Sequence, residues 1–309
     1  MRPVIISAAA LFLLSACANS GKQPASDSLT VSSVPASTDS LRQQIATIAA
    51  EAGGTVGVSI RHLGTGDTLT LNDTARLPMQ SAFKFPIAMA VLKQVDEGKL
   101  KLEQTVPVST KDYWDTYSPL KDSFPKGTKE KTIANLIYLM VCKSDNVACD
   151  VLLALTGGPR FTNDFVHGLG VSNMGIAFSE QDMQRNWENQ FLNWGNASAY
   201  THLLDILHKG TALSKASNDF MMNTMLATTT GAKRLPGLLP AGTPVAHKTG
   251  SGPTKDGICS ATNDAGIITL PNNEQVAVVV FVGMSPAEES VRESVIAKIA
   301  KAVYDHYSK

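Results

Sequence analysis

The stretch IITLPNNEQVAVVVFV, residues 267–282, carries the clearest folding signal in this chain of 309 residues. An apolar segment at 267–270 leads into the turn-forming residues 271–274, and a nearly continuous apolar segment follows at 276–282. Two apolar segments joined by a short polar turn predict a β-hairpin. Because the second segment lacks polar alternation, we expect that strand to be buried on both faces.

A helix and two further strands are predicted near the start of the folded part. A capping-box pattern at 40–43 starts the helix, and the glycines at 53–54 end it. Alternating apolar residues predict strands at 56–60 and 69–71. Antiparallel strands at both ends of the chain are therefore expected to share one sheet.

The last helix of the chain carries strong start signals. Ser285, Pro286 and Glu288 resemble a cap, a first-turn proline and a capping-box acid. Apolar residues then recur at helical spacing, as expected for one buried face. The predicted buried stripe consists of Val291, Val295, Ile299 and Val303.

The region between these ends, 81–234, is helical in character, with its clearest apolar segments at 133–140 and 147–155. This order of elements predicts an α/β fold. We expect a three-layer sandwich, in which helices flank a mainly antiparallel sheet, with an all-helical subdomain inserted. The α/β part would comprise about 41–80 and 235–309, and a site at the boundary between the two parts is expected.

The composition excludes several classes of function. Lys and Arg number 27, and so do Asp and Glu, so the chain lacks the basic excess typical of nucleic-acid binders. A hydrophobic fraction of 43% supports a large core and excludes a chain disordered throughout. The six histidines are dispersed without metal-ligand spacing, so neither a metal nor another cofactor is expected.

The first residues predict export. Arg2 precedes an apolar segment at 4–14 that is too short to span a bilayer as a mature helix. Residues 14–17, Leu-Ser-Ala-Cys, are similar to a bacterial lipobox, which predicts removal of 1–16 as a signal peptide and lipidation of Cys17. An ordinary secretory signal that happens to contain a cysteine is the alternative.

The predicted mature chain begins with a tether at 17–40, rich in Ser, Thr, Ala and Pro. It would hold a catalytic domain, 41–309, on the periplasmic side of a bacterial membrane, with the lipid as the only membrane contact. With Cys17 lipidated three cysteines remain, and the sequence does not decide whether any two form a disulfide. These three are Cys142, Cys149 and Cys259.

The first chemical motif is Ser81-Ala82-Phe83-Lys84. Serine becomes a nucleophile when a base takes its proton, and a lysine three residues later lies on the same helix face. Two other Ser-x-x-Lys matches, at 118–121 and 123–126, lie in polar surroundings typical of loops. Only Ser81 enters an apolar segment, 85–92, and a helix starting there would offer free N–H groups to an oxyanion.

Two further motifs are ambiguous when taken singly. Ser144-Asp145-Asn146 separates two apolar helical segments, but all three residue types are also common helix caps. The stretch 248–252, Lys-Thr-Gly-Ser-Gly, offers a cation, hydroxyls and glycines for close backbone approach, although a polar turn could have the same composition.

The three motifs follow one another in the order Ser-x-x-Lys, Ser-Asp-Asn, Lys-Thr-Gly. In this set the chain resembles the superfamily of penicillin-binding proteins and class A β-lactamases over about 40–309, and it is identified as a class A serine β-lactamase. The resemblance implies a monomeric hydrolase that opens the β-lactam amide of penicillins and cephalosporins and so confers antibiotic resistance. A D,D-peptidase and an acylated antibiotic sensor are the alternatives.

The resemblance also implies catalytic roles. Ser81 would attack the lactam carbonyl, and its proton would go to Lys84 or, through water, to Glu180. Ser144 would pass a proton to the lactam nitrogen, and Asn146 would orient the acyl side chain. Glu180 would then activate the water that releases the product.

Other implied roles concern binding. The backbone N–H groups of Ser81 and Ser251 would bind the oxyanion. Tyr117 is similar to an aromatic gate beside the substrate, with core packing as its alternative. Arg234 matches an alternative carboxylate-binding arginine, unless it is a solvated surface residue. The full set for the substrate carboxylate is Lys248, Thr249, Ser251 and Arg234.

The segment around Glu180 departs from the usual family pattern. Gln184 stands where the omega loop of the family usually has Asn, and Asn193 stands where the Asp of an Arg–Asp clasp is usual. Glu188 is a second candidate for the base. The altered loop, together with Gln80, is similar to the extended-spectrum branch abbreviated PER and VEB. With Pro253, these features favour cephalosporins as substrates.

Overall fold

The computed structural model describes residues 38–309. The predicted signal peptide, the lipidation of Cys17 and the tether up to residue 37 lie outside the described residues. The helix predicted from Ser40 already includes Thr38, so the capping box at 40–43 is wrong. Asp39 lies in the first turn of this helix, where an acidic side chain is favourable, and Ser40 lies inside the helix.

Helices account for most of the middle of the chain and for both ends of the described part. The helices are α1 Thr38–Ala50, α2 Lys84–Asp96, α3 Pro119–Ser123, α4 Ile133–Cys142, α5 Asn146–Thr156, α6 Pro159–Gly168, α7 Glu180–Met183, α8 Ala197–Lys209, α9 Lys215–Leu226 and α10 Glu289–Tyr307. The strands are β1 Thr55–His62, β2 Thr68–Leu71, β3 Leu77–Pro78, β4 Met174–Gly175, β5 Trp194–Gly195, β6 Val245–Ser251, β7 Thr254–Lys255, β8 Ile258–Thr269 and β9 Gln275–Ser285.

The main sheet is antiparallel and joins both ends of the chain, as predicted. Its strand order is β2-β1-β9-β8-β6, with β7 paired to β8. The hairpin predicted at 267–282 is β8 and β9, in register from Cys259 opposite Ser285 to Thr269 opposite Gln275. In the next ladder Gly250 of β6 lies opposite Asn263 of β8.

Strand β9 is buried on both faces because successive side chains point to opposite sides of the sheet. Val276, Val278, Val280 and Val282 pack with α1 and α10 in one core cluster. Ala277, Val279 and Phe281 pack with the helical part in a second cluster. The sheet therefore lies between two helical layers, and the predicted three-layer sandwich is confirmed.

The helical part also contains a small sheet that the sequence did not reveal. Its strands, in the order β3-β5-β4, are two residues long, too short for any alternating pattern. This sheet joins the segment before Ser81 to the end of the segment that carries Glu180. It thus lies next to the predicted chemistry.

Helix α10 begins later than predicted. Ser285 is the last residue of β9; its buried hydroxyl donates to the Ala52 carbonyl at 2.5 Å and accepts from the Ala287 N–H at 3.2 Å, which lies before the helix begins. The cap position is Glu288, without a side-chain hydrogen bond. Val295, Ile299 and Val303 are fully buried as predicted, whereas Val291 is only partly buried.

The three cysteines left open by the sequence are buried free thiols, so the described residues contain no disulfide. Burial raises the pKa of the Cys142 thiol to about 11 and raises that of Cys149 well above its usual value. Within residues 38–309, no helix combines the length and the apolar character needed to cross a membrane.

Candidate active site

Ser81 lies at the junction between a 3₁₀ turn, Gln80–Phe83, and α2, which begins at Lys84. The preceding residue, Gln80, has a φ of +48°, a conformation that costs energy for any residue other than glycine. One turn after the serine, Lys84 Nζ lies 3.1 Å from Ser81 Oγ. The predicted nucleophile and the predicted lysine are therefore in hydrogen-bond contact.

Lys84 is fully buried and is held by polar groups from three segments. Its ammonium donates to the Ser144 carbonyl at 2.8 Å and to Asn146 Oδ1 at 2.5 Å. It also forms an ion pair with Glu180 Oε1 at 2.8 Å. A buried cation persists only when it is paired in this way, so these contacts fix its position against the serine.

Glu180 completes the group around Ser81. The Ser81 hydroxyl donates to Glu180 Oε1 at 3.3 Å while it accepts from Lys84. Glu180 opens the short helix α7, which Ser179 caps by accepting from the Asp182 N–H. The alternative base, Glu188, is exposed and does not line the cleft.

The Ser144-Asp145-Asn146 motif is both a helix cap and part of the cleft, the two interpretations that the sequence left open. Asp145 caps α5 by accepting from the Ala148 N–H. Ser144, with a φ of +58°, accepts from Lys248 Nζ at 2.9 Å. The motif is thus a helix cap whose strained first residue places a hydroxyl in the cleft.

Lys248 is the fully buried cation of β6. Burial, and secondarily the nearby Lys84 ammonium, lower the pKa of Lys248 well below its usual value. Lys248 also donates to the Thr249 carbonyl at 3.0 Å, and the Thr249 hydroxyl lies 2.7 Å from that of Thr230. Lys248 is therefore placed to return a proton to Ser144 after that hydroxyl has given its own away.

The glycines at 250 and 252 permit the close approach expected of them, and the stretch forms a strand edge. A Cβ at Gly250 would lie 2.3 Å from the Met79 carbonyl oxygen and 3.1 Å from the Ala82 nitrogen. A Cβ at Gly252 would lie 2.1 Å from Ser260 Oγ. Strand β6 therefore runs directly against the turn that carries the nucleophile.

Arg234 is buried, with 4% of its surface exposed, so it is not a solvated surface residue. Nη2 donates to Ser251 Oγ at 2.7 Å, and Nε pairs with Glu293 at 3.2 Å. Nη1 donates to the carbonyls of Gly250 and Asn263 at 3.1 and 3.0 Å. Most of its N–H groups thus bind groups of β6 and β8. The part of Arg234 nearest a substrate would be Nη2, which lies beside Ser251.

The cleft has a volume of about 700 Å³, suitable for a small molecule. Tyr117 is 59% exposed at its edge, which excludes the core-packing interpretation. Gln184 is also exposed and lines the cleft. The wall is completed by Gln80, Ser81, Thr116, Ser144, Asn146, Glu180, Met183, Asn186, Trp187, Gln190, Thr230, Gly231, Arg234, Thr249, Ser251, Gly252 and Pro253.

Neither of the other Ser-x-x-Lys serines reaches the cleft. Ser118 caps the short helix α3, and its hydroxyl lies 2.9 Å from Asp145 Oδ1. Ser123 is exposed at the end of α3. The loop expected at 118–123 therefore contains a helical turn, because Ser118 and Pro119 form a start signal.

Sequence reasoning missed Asp150, which holds the backbone around Glu180. Its carboxylate accepts from the N–H groups of Glu180 and Gln181 at 2.8 and 3.1 Å. Burial, and then the charge of Glu180, raise the pKa of Asp150 to about 7. Asp150 lies one helical turn after Asn146, and this spacing was the available signal.

Asn193 joins the two ends of the segment from 176 to 193, at the position where the family usually has the Asp of a charged clasp. Its side chain is fully buried, and Oδ1 accepts from the N–H groups of Ala177 and Phe178 at 2.8 and 2.9 Å. Nδ2 donates to the Phe178 carbonyl at 2.9 Å. The segment ends at β5, which begins at Trp194. A neutral amide thus makes contacts that bind this segment without a charged clasp.

Comparisons with known proteins identify the family of this chain. The model of the beta-lactamase enzyme family matches residues 40–307. Beta-lactamase VEB-1 of Pseudomonas aeruginosa is 39% identical over 275 residues, covering 88% of this chain and 92% of that protein. Extended-spectrum beta-lactamase PER-1 of the same organism is 38% identical, covering 85% and 86%. A crystal structure of a beta-lactamase from Chitinophaga pinensis has a TM-score of 0.85 and 47% identity, covering 86% and 98%.

Proposed function

This chain belongs to the beta-lactamase enzyme family, and we propose that the residues gathered around Ser81 carry out its reaction. The protein is a class A serine β-lactamase, a hydrolase that opens the β-lactam amide through an acyl-enzyme and confers antibiotic resistance. One observation carries the residue assignment: the Ser81 hydroxyl contacts both Lys84 and Glu180.

In acylation, Ser81 Oγ forms a bond to the lactam carbonyl carbon. Its proton goes to Glu180, toward which the hydroxyl already points, or to Lys84 when that amine is neutral. The N–H groups of Ser81 and Ser251 bind the oxyanion, and one such donor contributes about 3–4 kcal/mol. When the C–N bond breaks, Ser144 gives its proton to the nitrogen and regains one from Lys248, which contacts it. The proton taken from Ser81 then restores that of Lys248, so that in sum one proton passes from Ser81 to the nitrogen and Glu180 is a carboxylate again before deacylation.

Substrate binding uses the β6 edge. Lys248 supplies the field for an anionic group, and Thr249 and Ser251 supply hydroxyls. Because Arg234 donates to Ser251 Oγ, the proton of that hydroxyl is free to point toward the substrate carboxylate. Asn146, held by Lys84, orients the acyl side-chain amide, with Tyr117 and Gln184 at the edge of the cleft.

Deacylation has a single base. Glu180 takes a proton from water, the hydroxide attacks the ester carbonyl, and Ser81 recovers its proton as the ester bond breaks. Acylation has two candidate acceptors in contact with the hydroxyl, whereas a hydrolytic water needs the carboxylate. This difference distinguishes the enzyme from a D,D-peptidase or an acylated sensor, which would keep the adduct.

An extended substrate spectrum that includes bulky cephalosporins is part of the proposal. The similarity to Extended-spectrum beta-lactamase PER-1 supports it, as do Gln80, Gln184 and Pro253 on the cleft wall. Export, a lipid on Cys17, a periplasmic location and a monomeric state are proposed from the sequence and the family. Mass analysis of the N-terminal peptide, compared with a Cys17→Ser variant, tests the lipid.

The assignment of Ser81 is tested by a chromogenic cephalosporin and intact-protein mass. Ser81→Ala should lose hydrolysis and form no adduct. Ser123→Ala is a matched control, because Ser123 begins another Ser-x-x-Lys match but is exposed outside the cleft, and it should behave as wild type. An adduct on Ser81→Ala would reject the assignment.

A further inference from the structure

We propose that Asn263 is a positioning residue that fixes the spacing between the two oxyanion donors. The proposal rests on the roles proposed above for the N–H groups of Ser81 and Ser251. These donors belong to separate elements, the 3₁₀ turn Gln80–Phe83 and strand β6. A constant distance between them requires a tie between the elements, because small shifts of a catalytic group lower rates strongly.

The side chain of Asn263 binds the backbone just before the nucleophile. It lies on β8 and is fully buried. Nδ2 donates to the Pro78 carbonyl at 2.8 Å and to the Met79 carbonyl at 3.0 Å. Only Gln80 separates this clamp from Ser81.

The backbone of Asn263 binds the strand that carries the other donor. Asn263 is the register partner of Gly250, the residue before Ser251. Arg234 Nη1 donates to the carbonyls of both, at 3.0 Å for Asn263 and 3.1 Å for Gly250. Asn263 is therefore joined to the nucleophile segment by its side chain and to the β6 edge by its main chain.

The clamp acts at one strained residue and at one close backbone contact. Gln80 has a positive φ, so the turn would relax if nothing held the carbonyls before it. Gly250 faces the Met79 carbonyl so closely that a Cβ there would lie at 2.3 Å. The Asn263 amide, bonded to that same carbonyl, keeps the turn seated on the strand.

The orientation of the amide is fixed by its surroundings. Nδ2 faces two carbonyl oxygens, and Oδ1 is buried with no hydrogen-bond partner within residues 38–309. A flipped amide would place oxygen against oxygen. The position therefore requires a donor, which a residue that merely filled the core would not.

The test compares two fully buried asparagines by matched substitutions, Asn263→Ser and Asn193→Ser. Rapid-mixing kinetics with a cephalosporin give the acylation and deacylation rates separately. Infrared difference spectra of the acyl-enzyme, trapped in the Glu180→Gln background, report hydrogen bonding to the ester carbonyl. Substrate affinity is measured on Ser81→Ala forms, and Asn263→Leu provides a second variant of similar size without a donor.

We expect Asn263→Ser and Asn263→Leu to slow acylation about 10- to 100-fold, with substrate affinity nearly unchanged. Their acyl carbonyl band should move to higher wavenumber, since weaker hydrogen bonds leave more double-bond character. Asn193→Ser should slow deacylation and leave the band in place. The role of Asn263 would be overturned if its variants acylated within twofold of the wild-type rate and their acyl carbonyl band did not move. It would also be overturned if folded Asn193→Ser showed the same acylation defect. Absence of a Ser81 adduct in the Glu180→Gln background would instead overturn the proposed function.

Discussion

The two sides of the cleft are built in different ways. On one side, the 3₁₀ turn with Ser81 lies against β6, a strand in a long antiparallel ladder, with glycine at the contact. On the other side, the segment 176–193 with Glu180 has almost no ladder, and single side chains such as Asp150 and Asn193 hold its backbone. The acylating groups thus depend on sheet geometry, and the deacylating base depends on individual polar contacts.

Besides the contacts of Ser81 and Lys84 with Glu180, the two sides share the backbone of Met79. The Met79 N–H donates to the Asn193 carbonyl at 2.9 Å, and the Met79 carbonyl accepts from Asn263 at 3.0 Å. Changes on either side should therefore act on different steps of the reaction if they leave Met79 in place. Separate measurements of acylation and deacylation test this division.

Among changes outside the catalytic residues, the largest expected effect comes from Gly250→Ala. The added Cβ would collide with the Met79 carbonyl and push β6 from the nucleophile turn. We expect the acylation rate to fall roughly 10²–10³-fold, the usual consequence of losing one oxyanion donor. Gly168→Ala is the control, because a Cβ there meets nothing within 4 Å. Acylation at the wild-type rate in folded Gly250→Ala would break the comparison.

Asn193→Ser should have the next largest effect. The change removes the acceptor that the partly buried N–H groups of Ala177 and Phe178 share, and so loosens the segment around Glu180. We expect deacylation to slow by up to about 10²-fold, with acylation changed much less. Burst kinetics, with thermal unfolding of the same samples, provide the check. Equal losses in both steps would mean that the two sides are not independent.

Asp150→Asn should change the pH dependence of stability. The pKa of Asp150 is raised from 3.8 to about 7, so the native state binds this proton more tightly than the unfolded state does. This contribution to stability is fully present below about pH 4 and is lost as the pH rises toward 7. The variant has no such titration, so its stability relative to wild type should rise between pH 4 and 7 and then level off. Urea unfolding across that range is the measurement, and a difference that does not vary with pH would contradict it.

The smallest effect is expected at the rim. The side chain of Tyr117 is mostly exposed, and the contact of this residue with the site is made by its backbone carbonyl, which accepts from the Asn146 N–H and is kept on substitution. Tyr117→Ala should raise KM for cephalosporins about fivefold, which corresponds to roughly 1 kcal/mol, and leave kcat within twofold. A large loss of kcat would assign this residue to the chemistry. Steady-state kinetics with two cephalosporins of different side-chain size separate these outcomes.

The strands on the sheet side of the cleft could be predicted from the sequence, whereas the contacts that hold the other side could be predicted only in part. Alternating and continuous apolar segments predict β1, β8 and β9, and the glycines at 250 and 252 signal close backbone contacts. Asp150, Asn193 and Asn263 act through side-chain hydrogen bonds to backbone atoms that are distant in sequence, which leave no periodic pattern. The two-residue strands β3, β4 and β5 were missed for the same reason. Ser285 misled because β9 continues through it and α10 begins only at Glu289, although its oxygen does accept from the Ala287 N–H.

Glu180→Gln tests the central claim most directly, because it removes the only proposed deacylation base and leaves Lys84 in contact with the nucleophile. Time-resolved intact-mass spectrometry after mixing with a cephalosporin should show an adduct on Ser81 that forms and then persists. Hydrolysis should slow roughly 10²–10⁴-fold, as expected for loss of a general base. Turnover at the wild-type rate without an accumulating adduct would contradict the account.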